Sequence, residues 1–230
     1  MERTSIIKGT TPVLLVAPHG PDDQNTALLV EMVAENFGAY AVINRGWRRS
    51  SGVDQLKDLA NCNNIKHLHE DVVREEFLVP IFRCRAEIAR KYTNKMFMFV
   101  IHGCKNNIIH DTKDEILDMI VGYGAGLPPS YSCRLKSKNL FIKCLQEEGF
   151  GVYEGAAGGM YAGKSKNNLN QLFVKWRPDQ EVESMQLEIV HELRMDKSMT
   201  ALTADGIMAA LDAFMLDDSA EVEDPKAGQI

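Results

Sequence analysis

The chain has 230 residues, 45% hydrophobic and 25% charged, with a mean hydropathy of -0.21, which fits an ordinary globular protein with one substantial core. The formal net charge is -6, but residues 217–230 hold five acids and one lysine and leave the body near -2, so neither nucleic acid nor a membrane surface is expected as a partner. Five cysteines without a CxxC pair, an N-terminus without a charged and then apolar leader, and no apolar run near the length of a membrane span point to free thiols in the cytoplasm.

Residues 12–18 (PVLLVAP) are a short apolar run between prolines, as expected of a strand buried on both faces, and His19 follows it. Residues 26–37 (TALLVEMVAENF) carry apolar side chains at helical spacing, with Gly38 as the stop. A strand over 39–43 comes next, then a helix over 69–92 broken or kinked near Pro80. A second buried strand over 96–101 (MFMFVI) runs directly into His102. The remaining pattern is a strand at 117–121, a helix at 138–148, strands at 151–154 and 185–190, and a last helix at 204–215. Alternation of this kind implies a three-layer α/β sandwich, its central sheet mostly parallel or mixed, with helices on both faces. One domain spans 1–216, and the acidic tail 217–230 is expected to fray.

Ligands bind beyond the carboxyl ends of strands in such sheets, which is where His19 and His102 fall. Either histidine alone reads equally well as a strand-end residue with a satisfied hydrogen bond. Together, each followed by a glycine (Gly20 and Gly103) that permits close backbone approach, they read as one site. His19 with an acid three residues later at Asp22, and His102 from afar, gives three protein ligands and an open fourth position around a divalent metal, best zinc. Asp23 is the rival for the carboxylate. Asn44 and Arg45 follow the 39–43 strand and put an amide and a guanidinium at the same edge, where Arg45 is placed to grip a substrate carboxylate. Glu188 is a charge inside the apolar strand MQLEIV and shares a face with Gln186. Such a carboxylate is costly unless it serves a cavity, where it can act as a general base.

The order AlaProHisGlyProAsp at 17–22, IleAsnArg at 43–45, IleHisGly at 101–103 and GlnLeuGluIle at 186–189 resembles the N-formylglutamate amidohydrolase family. That family is part of a wider set of zinc-dependent carboxypeptidases and N-acyl amino-acid hydrolases, and the resemblance covers about 12–189. It implies one zinc per chain on His19, an acid of the Asp22-Asp23 pair and His102. It also implies Asn44 and Arg45 on a substrate carboxylate, and Glu188 as the base in hydrolysis of a small N-acyl or N-formyl amino acid or peptide-like amide. The chain departs from the wider set in having Asp where Glu is common. Two glycine-rich stretches, 122–126 and 151–163, are placed to form loops over a substrate, with Tyr123 and Tyr161 as donors to an oxyanion.

Several motifs compete with this reading. Residues 158–165 (GGMYAGKS, Gly158 to Ser165) satisfy the phosphate-loop pattern and would make the chain a nucleotide-binding protein acting through Lys164. The sequence that follows, however, lacks a clean helical face. A non-catalytic relative that binds a carboxylated ligand is a further alternative. His67 and His69 read as solvated residues before a helix, and His191-Glu192 lacks the second histidine of a zinc-protease helix. Cys104 reads as a small apolar filler more readily than as a nucleophile.

Overall fold

The computed structural model describes residues 3–48, 61–69, 71–92, 94–106, 117–126 and 128–220. Strand β1 (Thr4–Ile7) is followed by β2 (Val13–Ala17), helix α1 (Thr26–Phe37) and β3 (Tyr40–Asn44). One helical turn, α2 (Asp71–Val73), runs through a π turn at Arg74–Leu78 into α3 (Val79–Lys91). Next come β4 (Met96–Cys104), β5 (Met119–Gly122), α4 (Leu135–Glu147), β6 (Val152–Glu154), β7 (Val182–Val190) and α5 (Lys197–Ala220). The expected break near Pro80 is that π turn: the Val79 amide bonds to the Arg74 carbonyl five residues back, and this wider turn admits Pro80 into an otherwise continuous helix.

The seven strands form one mixed sheet in the order β1-β3-β2-β4-β7-β5-β6. β3, β2, β4 and β7 are mutually parallel, and β1 and β5 run antiparallel to β3 and β7. Odd-numbered side chains of the central strands, such as Leu15, Ile43, Phe99 and Leu187, pack against α1, α4 and α5 in one core. Even-numbered ones, such as Leu14, Val42, Met98 and Val182, pack against α3 and the segment around Leu169–Phe173 in the other. That is the expected sandwich. Phe99 and Phe97 on β4 meet Phe141 of α4 and Phe214 of α5 with ring centroids 4.6 Å and 4.8 Å apart, which fastens those helices to the strand that ends in the site.

Chain direction explains where a ligand belongs. The β2–β3 connection travels outward over one face through α1, and the β3–β4 connection returns over the other face through α3. Strand order therefore reverses between β2 and β4, and a crevice opens at their carboxyl ends.

One expectation holds and others shift. Helix α1 matches the 26–37 reading, with Gly38 left-handed at φ 79° as its stop. Strand β7 begins three residues before 185 because Glu183 and Ser184 are buried in the sheet by partners on other segments. Helix α5 extends well beyond 204–215 at both ends and enters the acidic segment as far as Ala220; residues 221–230 lie outside the described ones. By length and composition α5 is also apolar enough to cross a membrane, unlike the sequence expectation, and here Ala204, Ile207, Leu211 and Phe214 bury their side chains in the core.

Candidate metal centre

His19 leaves the end of β2 into a tight turn in which its carbonyl accepts both the Asp22 and the Asp23 amide, at 2.8 Å and 2.7 Å. A turn of that size brings the fifth residue, not the fourth, back over the first. Asp23 Oδ2 therefore lies 3.5 Å from His19 Nδ1 and 3.8 Å from His102 Nδ1. This corrects the preference for Asp22. Asp22 reaches the rim of the same cavity, but its carboxylate turns toward Arg48, 3.9 Å away.

His19, Asp23 and His102 are all buried, and one donor atom from each lies within 4.8 Å of the others. Ligands about 2.1 Å from a tetrahedral zinc stand about 3.4 Å apart, so the two measured separations fit such an ion with little adjustment. The tautomer fits as well. His19 Nε2 lies 2.9 Å from Asn61 Oδ1, and that atom also accepts the Asn63 amide, which identifies it as the oxygen. Nε2 therefore carries a proton, and Nδ1 faces Asp23, where it donates when the ring is charged and would offer a lone pair to an ion when it is neutral. Burial works against a charged Asp23, yet hydrogen bonds from His102 and His19, the His19 charge and the Gly103 amide hold its carboxyl well below the ordinary carboxylate range. A deprotonated carboxylate beside two imidazoles is the donor chemistry zinc prefers.

His102 and Glu188 are register partners on β4 and β7, and both lie on the α3 face of the sheet. Gln186, two residues earlier on that face, donates Nε2 to Glu188 Oε1 at 2.7 Å. All three line a cavity of about 1320 Å³ together with His19, Asp23 and Tyr161. Burial and the neighbouring Glu188 charge raise the Tyr161 phenol above its ordinary pKa, so it stays a donor. Cys104 lines the same space, and burial pushes its thiol up to about 12, which removes it as a nucleophile.

Both glycines after the histidines are sterically required. A Cβ on Gly20 would lie 2.1 Å from the Asn44 carbonyl oxygen, and one on Gly103 would lie 2.3 Å from the Arg194 guanidinium carbon.

Three expected substrate residues are elsewhere. Arg45 is outside the cavity: its guanidinium donates to Glu31 Oε1 at 2.6 Å and Ser5 Oγ at 3.0 Å, because β1 pairs alongside β3 and draws it across the sheet edge. Asn44 is fully buried and holds the backbone, donating to the Pro18 and Trp47 carbonyls and accepting the Gly46 and Trp47 amides. Tyr123 donates to Glu154 at 3.0 Å, away from the cavity. Lys105, Arg194 and Asn61 were not singled out from the sequence. Lys105 and Arg194 line the cavity, and no local pattern marks any of the three.

The phosphate-loop reading is not supported by the local structure. Lys164 Nζ donates to the Gly158 carbonyl and closes the loop on itself, and the next regular element is a 3-10 turn at Leu169–Gln171 in place of an α-helix at Lys164. His67 is exposed, as expected, and His191-Glu192 leads into the 3-10 turn Glu192–Arg194.

Known structures share this architecture. An N-formylglutamate amidohydrolase from Ralstonia eutropha JMP134 is similar over 96% of this chain and 100% of its own, at 14% identity and a TM-score of 0.61. The chain shares its fold with that amidohydrolase. A bacteriophage poly-gamma-glutamate hydrolase is similar over 96% of this chain and 90% of its own, at 15% identity and a TM-score of 0.54. For a metallo-carboxypeptidase from Burkholderia cenocepacia the shares are 95% and 65%, at 14% identity and a TM-score of 0.51. No family model matches the sequence, and no curated protein does. At these identities the likeness is one of fold.

Proposed function

We propose that this chain is a zinc-dependent hydrolase of a small amide, an N-acyl or N-formyl amino acid or a peptide-like compound that bears a carboxylate. The observation that carries this reading is the His19-Asp23-His102 donor set with Glu188 in register beside it at one cavity. Structural neighbours with names that denote an amidohydrolase, a poly-gamma-glutamate hydrolase and a metallo-carboxypeptidase support a hydrolase on this fold.

His19, Asp23 and His102 would hold a divalent ion, which when bound would supply Lewis acidity to a carbonyl oxygen and make water nucleophilic near neutral pH. Glu188 removes the proton of the attacking water and returns it to the departing amine. Gln186 fixes the Glu188 carboxylate through one of its oxygens. Tyr161 donates its hydroxyl to the oxyanion as the carbonyl becomes tetrahedral. With Arg45 turned away, Lys105 at the cavity wall takes the substrate's carboxylate.

Assay of zinc-loaded protein against N-formyl, N-acetyl and dipeptide substrates tests this reading by amine release. Turnover that disappears with a chelator and returns with zinc is the expected result. Stoichiometric zinc with no amine released from any substrate would favour a ligand-binding relative that does no chemistry.

A further inference from the structure

Arg194 lies in the 3-10 turn that follows β7 and is only 4% exposed. Its guanidinium donates to carbonyls on three separate segments: Gln24 at 2.5 Å, Cys104 at 2.9 Å and Ile189 at 3.1 Å. Each carbonyl stands next to the site. Gln24 follows Asp23, Ile189 follows Glu188, and Cys104 is two residues past His102. The connection also runs the other way: Asn25, held left-handed at φ 58°, donates its side-chain amide to the Arg194 carbonyl at 2.7 Å, and Gln24 donates to the Met195 carbonyl at 2.8 Å.

Gly103 adds a second, independent observation. Its backbone lies so close to the guanidinium that a Cβ would sit 2.3 Å from the Arg194 Cζ, and its amide donates to Asp23 Oδ2 at 3.1 Å. Arg194, the Gly103 peptide and the Asp23 carboxylate are thus in successive contact. Burying a guanidinium is expensive, and the carbonyl acceptors offset part of that cost. A planar fork can hold diverging acceptors in fixed geometry, as a single ammonium cannot.

We propose that Arg194 is the positioning residue of the metal site, setting the spacing of Asp23, His102 and Glu188 by tying together the three segments that carry them. The proposal rests on the metal reading above. Loss of an outer partner that orients metal ligands lowers affinity about 10–100-fold.

The test titrates zinc against a competing chelator with the full chain, comparing the parent with Arg194→Ala, Arg194→Lys, Gly103→Ala and the Gly103→Ala/Arg194→Ala double variant. Expected are a loss of about 10–100-fold in affinity for both Arg194 variants and partial recovery of Arg194→Ala by guanidinium ion. Gly103→Ala should weaken zinc binding in the parent and add little once Arg194 is gone, because its conflict is with the guanidinium. If Arg194→Ala does not fold, Arg194→Lys and Gly103→Ala decide the matter. Zinc affinity within about twofold of the parent in the folded variants, well short of the loss an orienting partner causes, overturns the positioning role alone. A parent that takes up no zinc overturns the metal reading and this role with it.

Discussion

His102 and Glu188 face each other across adjacent parallel strands, with Gln186 Nε2 donating to the Glu188 carboxylate at 2.7 Å. The proposed metal ligand and the proposed general base are thereby held at a spacing set by sheet register. Glu188→Gln keeps the shape and removes the base. It should retain zinc and lose about 10²–10⁴-fold in kcat, read by amine release alongside metal analysis. Unchanged turnover removes Glu188 from the mechanism.

Asn61 lies 42 residues from His19 in sequence and fixes its tautomer through a 2.9 Å hydrogen bond. Asn61→Ala should weaken zinc binding by about 10–100-fold and shift the His19 imidazole away from the Nε2-protonated form in nitrogen-15 NMR spectra. An unchanged tautomer together with unchanged affinity would show that Asn61 does not orient the ring.

Arg45 and Lys105 separate the sequence reading from the structural one. Arg45→Ala breaks a half-buried pair with Glu31 and should cost under about 1 kcal/mol of stability while leaving KM unchanged. Lys105→Met should raise KM about tenfold, the scale of one lost charge-assisted hydrogen bond, with little effect on kcat. The reverse pattern in steady-state kinetics would return the carboxylate to Arg45.

Asn44 is a matter of stability. Its side chain is fully buried and makes four backbone hydrogen bonds that shape the β3 exit and hold Pro18, just before His19. Asn44→Ala leaves these groups unpaired and should cost about 2–4 kcal/mol in urea denaturation. A loss below about 0.5 kcal/mol, the scale of an ordinary surface change, would show that water replaces the side chain.

Much of the architecture was legible because the two most apolar runs, at 12–18 and 96–101, are the central strands β2 and β4, each leading into a histidine. The place of Glu188 at the cavity was legible too, as a charge inside an apolar strand. Gly20 and Gly103 signalled close approach, and both meet a neighbour that excludes a Cβ. The choice of Asp23 over Asp22 was not readable, since it depends on how tightly the turn after His19 closes. Arg45 was misplaced because β1 is only four residues long and gives no clear pattern, yet its Ser5 helps draw that guanidinium aside. Arg194 and Asn61 act through contacts 170 and 42 residues away in sequence, which no local spacing encodes.

The most direct test of the metal centre is zinc stoichiometry by elemental analysis of the parent, Asp22→Asn and Asp23→Asn, each dialysed against buffered zinc. About one zinc per chain is predicted for the parent and for Asp22→Asn, with Asp23→Asn losing most of it. Full zinc in Asp23→Asn, or none in the parent, would contradict the centre described here.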